Sequence, residues 1–187
     1  MSTVRRTFAV EGTPAWSAMT ALRTRRLVFE ELSFDDAEFI IELLNDESFL
    51  RFIGDKGVRT IADAQQYLRN GPMESYRRHG FGLYLVRQVS DGARIGICGL
   101  LRRSVLDYPD VGFALLPGVR GHGYGYEAAI AVLDHARTEL GLKRILGITD
   151  PDNRVSIRLL EKAGFGFERR MRLTPDAPEV SLYSIEV

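Results

Sequence analysis

The spacing of apolar and polar positions changes several times along the chain, and each change marks an element. Leu27, Val28 and Phe29 form an apolar block inside Arg26 to Leu32, which predicts a first strand. Ser33 with Asp36 then reads as a helix start, and Phe39, Ile40, Leu43 and Leu44 fall on one helical face. Thr60 with Asp63 repeats the start signal ahead of a second helical stretch, which Gly71-Pro72 is expected to break. From Phe81 the period shortens. Phe81 to Val89 and Arg94 to Leu101 read as strands separated by Ser90-Asp91-Gly92, and Asp-Gly between apolar runs predicts an antiparallel hairpin. Asp107 to Asp110 is turn material. Val111 to Leu116 is nearly continuously apolar and is expected to be a buried central strand, stopped by Pro117.

Further on, Ala129, Val132, Leu133, Ala136 and Leu140 recur at helical spacing, giving a long amphipathic helix closed by Gly141. Ile145 to Ile148 is a short strand turning at Asp150-Pro151, Val155 to Lys162 a short helix ending at Gly164, and the tail carries strands to Val187. Strand, helix and strand from 111 to 148 make a right-handed crossover with two parallel strands. The fold class is therefore α/β with a mixed sheet. Residues 1–22 keep no steady period and contain Gly12 and Pro14, so they are expected to lie outside the fold, with Trp16 docked on it; residues 23–187 form the domain.

A length of 187 residues with 45% hydrophobic and 27% charged positions fits one domain and excludes a disordered or low-complexity chain. Twenty-five basic residues balance twenty-five acidic ones, so no bulk charge favours nucleic acid or an anionic membrane. The single Cys98 rules out a disulfide framework or a multi-cysteine zinc site, and His79, His122 and His135 share no ligand spacing, so no metal is expected. Arg5-Arg6 has the look of a twin-arginine signal, but Glu11, Gly12 and Pro14 interrupt the apolar stretch such a signal needs. No apolar run approaches the ~20 residues that span a bilayer. A cytoplasmic protein is expected.

The segment richest in chemistry is Val119-Arg120-Gly121-His122-Gly123-Tyr124-Gly125-Tyr126-Glu127, between an expected strand and a helix start. Closely spaced glycines there expose consecutive amides, and a helix N-terminus adds about half a positive charge, a combination suited to phosphate. A flexible turn is the plainer alternative. A Walker A loop would need Lys-Ser/Thr where Tyr126-Glu127 stands, and a dinucleotide fingerprint would need glycine at Tyr126.

What fits is R-x-x-G-x-G, as Arg120, Gly123 and Gly125, which resembles the acetyl-CoA pyrophosphate loop of the GNAT superfamily of N-acetyltransferases. The run Asp110 to Pro117 before it is similar to that family's fourth strand. Asn153-x-x-Ser156, then Lys162-Ala163-Gly164-Phe165, resembles the ribosomal-protein N-terminal acetyltransferase (RimJ/RimL-type) branch, as does the opening Thr24-Arg25-Arg26-Leu27. The resemblance spans Leu22 to Val187. It implies a mostly antiparallel sheet whose central parallel pair splays around the cofactor, with helices on both faces.

The same resemblance implies an acetyl-CoA co-substrate, no metal, and an amine acceptor attacked without a covalent enzyme intermediate. The backbone of Phe113, Ala114 and Leu115 would meet the pantetheine arm. Arg120, Gly121, His122, Gly123, Tyr124 and Gly125 would cradle the pyrophosphate, His122 as a loop residue rather than a base. Asn153 would touch the cofactor arm and Ser156 would protonate the leaving thiolate, although helix capping could explain both residues. The tyrosine that some relatives use instead falls at Leu160. Asp110 occupies the neighbourhood of the family's glutamate base and is either a base acting through water or a turn residue after Pro109; Glu30 or Glu31 could serve instead. Glu127 complements the helix dipole.

Proton arithmetic separates the possible acceptors. An α-amine of pKa ~8 costs ~1.4 kcal/mol to deprotonate at pH 7, a lysine of pKa ~10.4 about 4.6 kcal/mol. A short aspartate suits the easier amine, so a peptide or small-molecule α-amine is expected. The alternatives are a non-catalytic acyl-CoA-binding module and a different nucleotide-binding domain. Oligomeric state leaves no mark in the spacing.

Overall fold

The computed structural model describes residues 20–187. Eight strands form one sheet: β1 (Thr20–Arg23), β2 (Leu27–Glu31), β3 (Leu83–Gln88), β4 (Arg94–Leu101), β5 (Asp110–Leu115), β6 (Arg144–Thr149), β7 (Gly166–Arg172) and β8 (Glu179–Glu186). Their order across the sheet is β1-β2-β3-β4-β5-β6-β8-β7, antiparallel everywhere except the β5–β6 pair. The expected mixed sheet with a central parallel pair is thus present.

The sheet begins inside the segment expected to lie outside the fold. Thr20 pairs with Glu30 and Arg23 with Val28, so β1 crosses the boundary drawn after residue 22. Four residues on a sheet edge are too few to impose a period on the sequence. Trp16 and its expected docking lie outside the described residues.

Helices α1 (Ala37–Leu44), α2 (Glu47–Phe52) and α3 (Ile61–Leu68) cover one face, where Ile40, Leu43, Leu44 and Leu68 pack with Leu85 and Ile97 of the sheet. Helices α5 (Tyr124–Thr138) and α6 (Arg154–Lys162) cover the other, with Val132, Ala136 and Leu160 against Phe29, Val86 and Cys98. Both expected capping boxes form, at Ser33 with Asp36 and at Thr60 with Asp63. The break expected at Gly71-Pro72 does not occur. A π-helical turn, Arg69–Met73, absorbs Pro72 and carries the chain into α4 (Glu74–His79). The wider turn removes the need for an amide at the proline, so the helical path bends without ending.

The central strand also departs from expectation. Only Asp110 and Val111 of β5 are buried, and the positions from Gly112 onward are half-exposed. The parallel ladder explains this, because β5 meets β6 only at Asp110–Leu146 and Val111–Gly147. Past Val111 the two strands part.

Candidate active site

Where β5 leaves β6, its backbone loses a partner. Leu116 N–H donates to Ile95 O, and antiparallel bonding alternates from there, so Ala114 and Gly112 bond to β4 while Phe113 and Leu115 turn their backbone groups toward the gap. The expectation that 113–115 all present backbone to a cofactor arm narrows to Phe113 and Leu115. Ala114 offers only its side chain. Leu115 O is already taken, by Nε and Nη2 of Arg120 at 2.9 and 2.7 Å.

A cleft of about 630 Å³ opens from this gap. Asp110, Phe113, Ala114, Asn153 and Ser156 all line it, so residues 46 positions apart in sequence share one wall system. Leu115 and the glycine turn lie beyond its rim. The cleft also takes in Lys56, Tyr67, Arg103 and Thr149, which the sequence reading missed. No periodicity marks them, and three sit in connections or on a helix far from the motif.

In the glycine turn, Gly121 and Gly123 have φ of +81° and +80°, a conformation that side-chain-bearing residues rarely adopt. This geometry leaves the amides of residues 121–126 without a protein acceptor among the described residues, since the first bond of α5 is Glu127 N–H to Gly123 O at 3.1 Å. Six consecutive free amides at a helix N-terminus can accept a diphosphate. Gly125 has a different reason to be glycine. A Cβ there would sit 3.0 Å from Leu159 Cδ1 and 3.5 Å from Leu115 Cδ1, so it lets α5 approach α6, and a side chain would point into the protein.

The turn is braced from outside. Arg26 donates from Nε to Glu127 at 2.6 Å and from Nη1 to His122 O at 3.0 Å, and its guanidinium lies 4.5 Å from the Tyr124 ring centroid. Thr24 Oγ1 donates to the same glutamate at 2.6 Å. Burial disfavours the Glu127 anion, but Thr24 and Arg26 outweigh it and hold the carboxyl below its ordinary value. Glu127 is thus an ionised anchor for the N-terminal strands as well as a favourable charge at the start of α5. His122 is exposed, with Nδ1 2.9 Å from Arg120 O, and does not line the cleft. The Arg120 side chain also reaches Asp46, the N-cap of α2, at 2.8 Å.

The two expected proton-handling residues line the cleft from different elements, Asp110 from the start of β5 and Ser156 from α6. Asp110 is 2% exposed and pairs with Arg103 Nε at 2.9 and 3.2 Å. Burial pushes its carboxyl above the ordinary carboxylate value, with Arg103 only partly opposing. At the start of α6, Asn153 Oδ1 accepts from the backbone N–H of Ser156 at 3.1 Å. That bond caps α6 and uses no side-chain atom of Ser156, so capping accounts for Asn153 but leaves the serine hydroxyl unexplained. Glu30 is held by Arg87 at 2.7 Å, and neither it nor Glu31 reaches the cleft. Cys98 is fully buried on β4, its thiol pushed up to about 12, so it is protonated and shielded. Among the described residues no three His, Cys, Asp or Glu side chains gather as a metal site.

The free amide cradle, the open edge of β5 and the cleft together suit a long diphosphate-bearing thioester. Comparison with known proteins agrees. The family model of the acetyltransferase (GNAT) domain matches residues 26–166, and the chain belongs to that family. It is an acetyl-CoA-dependent N-acetyltransferase, and its acceptor is an amine. An uncharacterised N-acetyltransferase of Bacillus subtilis, YnaD, is 25% identical over 143 residues, covering 76% of this chain and 81% of the relative. An acetyltransferase structure from Agrobacterium tumefaciens superposes with TM-score 0.74 at 23% identity, over 98% of this chain and 99% of that one. The fold is shared too with a Salmonella typhimurium acetyltransferase that modifies the N-terminal serine of a 50S ribosomal subunit protein (TM-score 0.73, 13% identity, 88% and 96% covered). The structural neighbours thus include the RimL-type enzymes. No helix among the described residues is long and apolar enough to cross a membrane.

Proposed function

We propose that the enzyme acetylates an α-amine, held in the cleft between Asp110 and Ser156. The observation that carries this reading is the gap between β5 and β6, which joins the amide cradle at one end to both proton-handling side chains at the other. The amides of residues 121–126 hold the diphosphate, and the backbone of Phe113 and Leu115 N–H bind the amide-bearing arm. Asn153, with Oδ1 committed to its cap, has Nδ2 left to donate. Bound acetyl-CoA supplies the thioester that the amine attacks. Ser156 Oγ gives a proton to the departing sulfur. Asp110 takes the amine's proton through an intervening water, and its raised pKa makes it a stronger base than an ordinary aspartate. A cytoplasmic setting, where acetyl-CoA is supplied, belongs to the same reading.

Two matched peptides test the acceptor class, one with a free N-terminus and blocked lysine, the other reversed. The free N-terminus should be acetylated faster at pH 7; faster acetylation of lysine refutes the assignment. The proton role of Asp110 has its own signature. The neutral acid cannot accept a proton, so kcat should fall as pH drops through its raised pKa. Asp110→Asn should lower kcat by about 10²-fold and abolish that limb. A mutant that keeps the wild-type pH profile removes Asp110 from the chemistry.

A further inference from the structure

The cleft contains more cationic donors than its own carboxylates use. Its acids are accounted for locally: Glu74 is held by Arg77 and Arg78, Asp110 by Arg103, and Asp150 accepts from its own turn at Asp152 N–H. Arg103 commits only Nε to Asp110, and its two terminal nitrogens bond to no group among the described residues. Lys56, in the connection between α2 and α3, lines the same cleft and forms no ion pair among the described residues. Tyr67 on α3 lines it too, and its hydroxyl has no hydrogen-bond partner among the described residues. All three residues line the one cleft, Lys56 exposed and Tyr67 and Arg103 half-buried. Two cationic side chains and a phenol thus line one cleft, and among the described residues Asp110, through Nε of Arg103, is the one carboxylate paired with any of them.

We infer that Lys56, Tyr67 and the terminal nitrogens of Arg103 form an oxyanion subsite, and that the acceptor is an amine that also carries a carboxylate or phosphate. The inference rests on the acetyltransferase reading of the cleft. Its physical basis is that cationic side chains lining one cleft repel one another until an anion pairs with them, while each donor offers a charge-assisted hydrogen bond to that anion. Burial keeps the Tyr67 phenol protonated, against the pull of Arg103, so it donates. Arg103 ties the subsite to the chemistry, because the guanidinium that meets the anion also touches Asp110. A neutral or cationic amine would leave the cluster unpaired and bind less well.

Three dipeptide amides with a free α-amine separate the possibilities: alanyl-aspartate amide, alanyl-phosphoserine amide and alanyl-asparagine amide. Their binding to the CoA-loaded protein is measured by calorimetry, which blocks the amide cradle, and their acetylation is followed in parallel. The two anionic dipeptides should bind at least about 10-fold more tightly than the alanyl-asparagine amide, and the better of the two identifies the group the subsite prefers. Lys56→Gln should collapse that preference and Lys56→Arg should retain it. Equal binding of all three amines, an undetectable preference in the wild type, or an unchanged preference in Lys56→Gln would overturn the subsite. Failure of the acetyltransferase reading looks different, since CoA itself would then not bind.

Discussion

Replacing Ser156 by alanine should lower kcat by about 10²–10⁴-fold while leaving the folded state as stable as before. The rate loss is that of a general acid removed from a departing thiolate. The unchanged stability follows from the cap of α6, which runs from the backbone N–H of Ser156 to Asn153 Oδ1 and survives the substitution. The serine hydroxyl makes no hydrogen bond among the described residues, so its removal orphans nothing buried, and alanine is the better helix former. Asn153→Ala is the complement. It should cost about 0.5–2 kcal/mol of stability through the lost cap. Single-turnover rates and thermal midpoints on the two variants separate the roles, and a Ser156→Ala enzyme with undiminished kcat ends the case for a general acid.

Gly123→Val should weaken CoA binding by about 10²-fold or more. Gly123 holds φ at +80°, and a β-branched residue there would force the turn to relax, withdrawing several of the amides of residues 121–126 from the diphosphate. Charge-assisted hydrogen bonds contribute roughly 1.5–3 kcal/mol each, so losing even two of them gives an effect of that size. The strain also destabilises the fold by about 1–3 kcal/mol, which calls for a matched control. Gly141, just beyond the C-terminal end of α5, has φ of +64° and open space around it. Gly141→Val should bear comparable strain and leave CoA affinity intact. Equal affinity losses in the two variants, or no loss in a folded Gly123→Val, would refute the cradle. Gly125→Val is the less informative change, because its side chain would strike Leu159 and shift α6 with Ser156 on it.

Local signals were legible where the chemistry itself is local. Both capping boxes, the Asp-Gly hairpin and the positive-φ glycines depend on residues within a few positions of one another, and the sequence displays them directly. The same holds for the order of strand and helix from 111 to 148 and for the motif that carries the family. Periodicity failed where a tertiary setting overrode it. Pro72 was expected to end a helix, yet a π turn accommodated it, and β1 was too short to register.

The sequence by itself determined that this is one α/β domain with a glycine-rich turn between a strand and a helix, because hydrophobic spacing and glycine φ preferences act over short distances. Only the tertiary structure decided how far β5 and β6 stay together, and so where the backbone of Phe113 and Leu115 becomes free. It also decided that Gly125 serves packing between helices, that Asp110 is buried against Arg103, and that Lys56 and Tyr67 face the same cleft. Those facts depend on through-space distances between segments separated by up to about 100 positions in the sequence, and no local pattern encodes them.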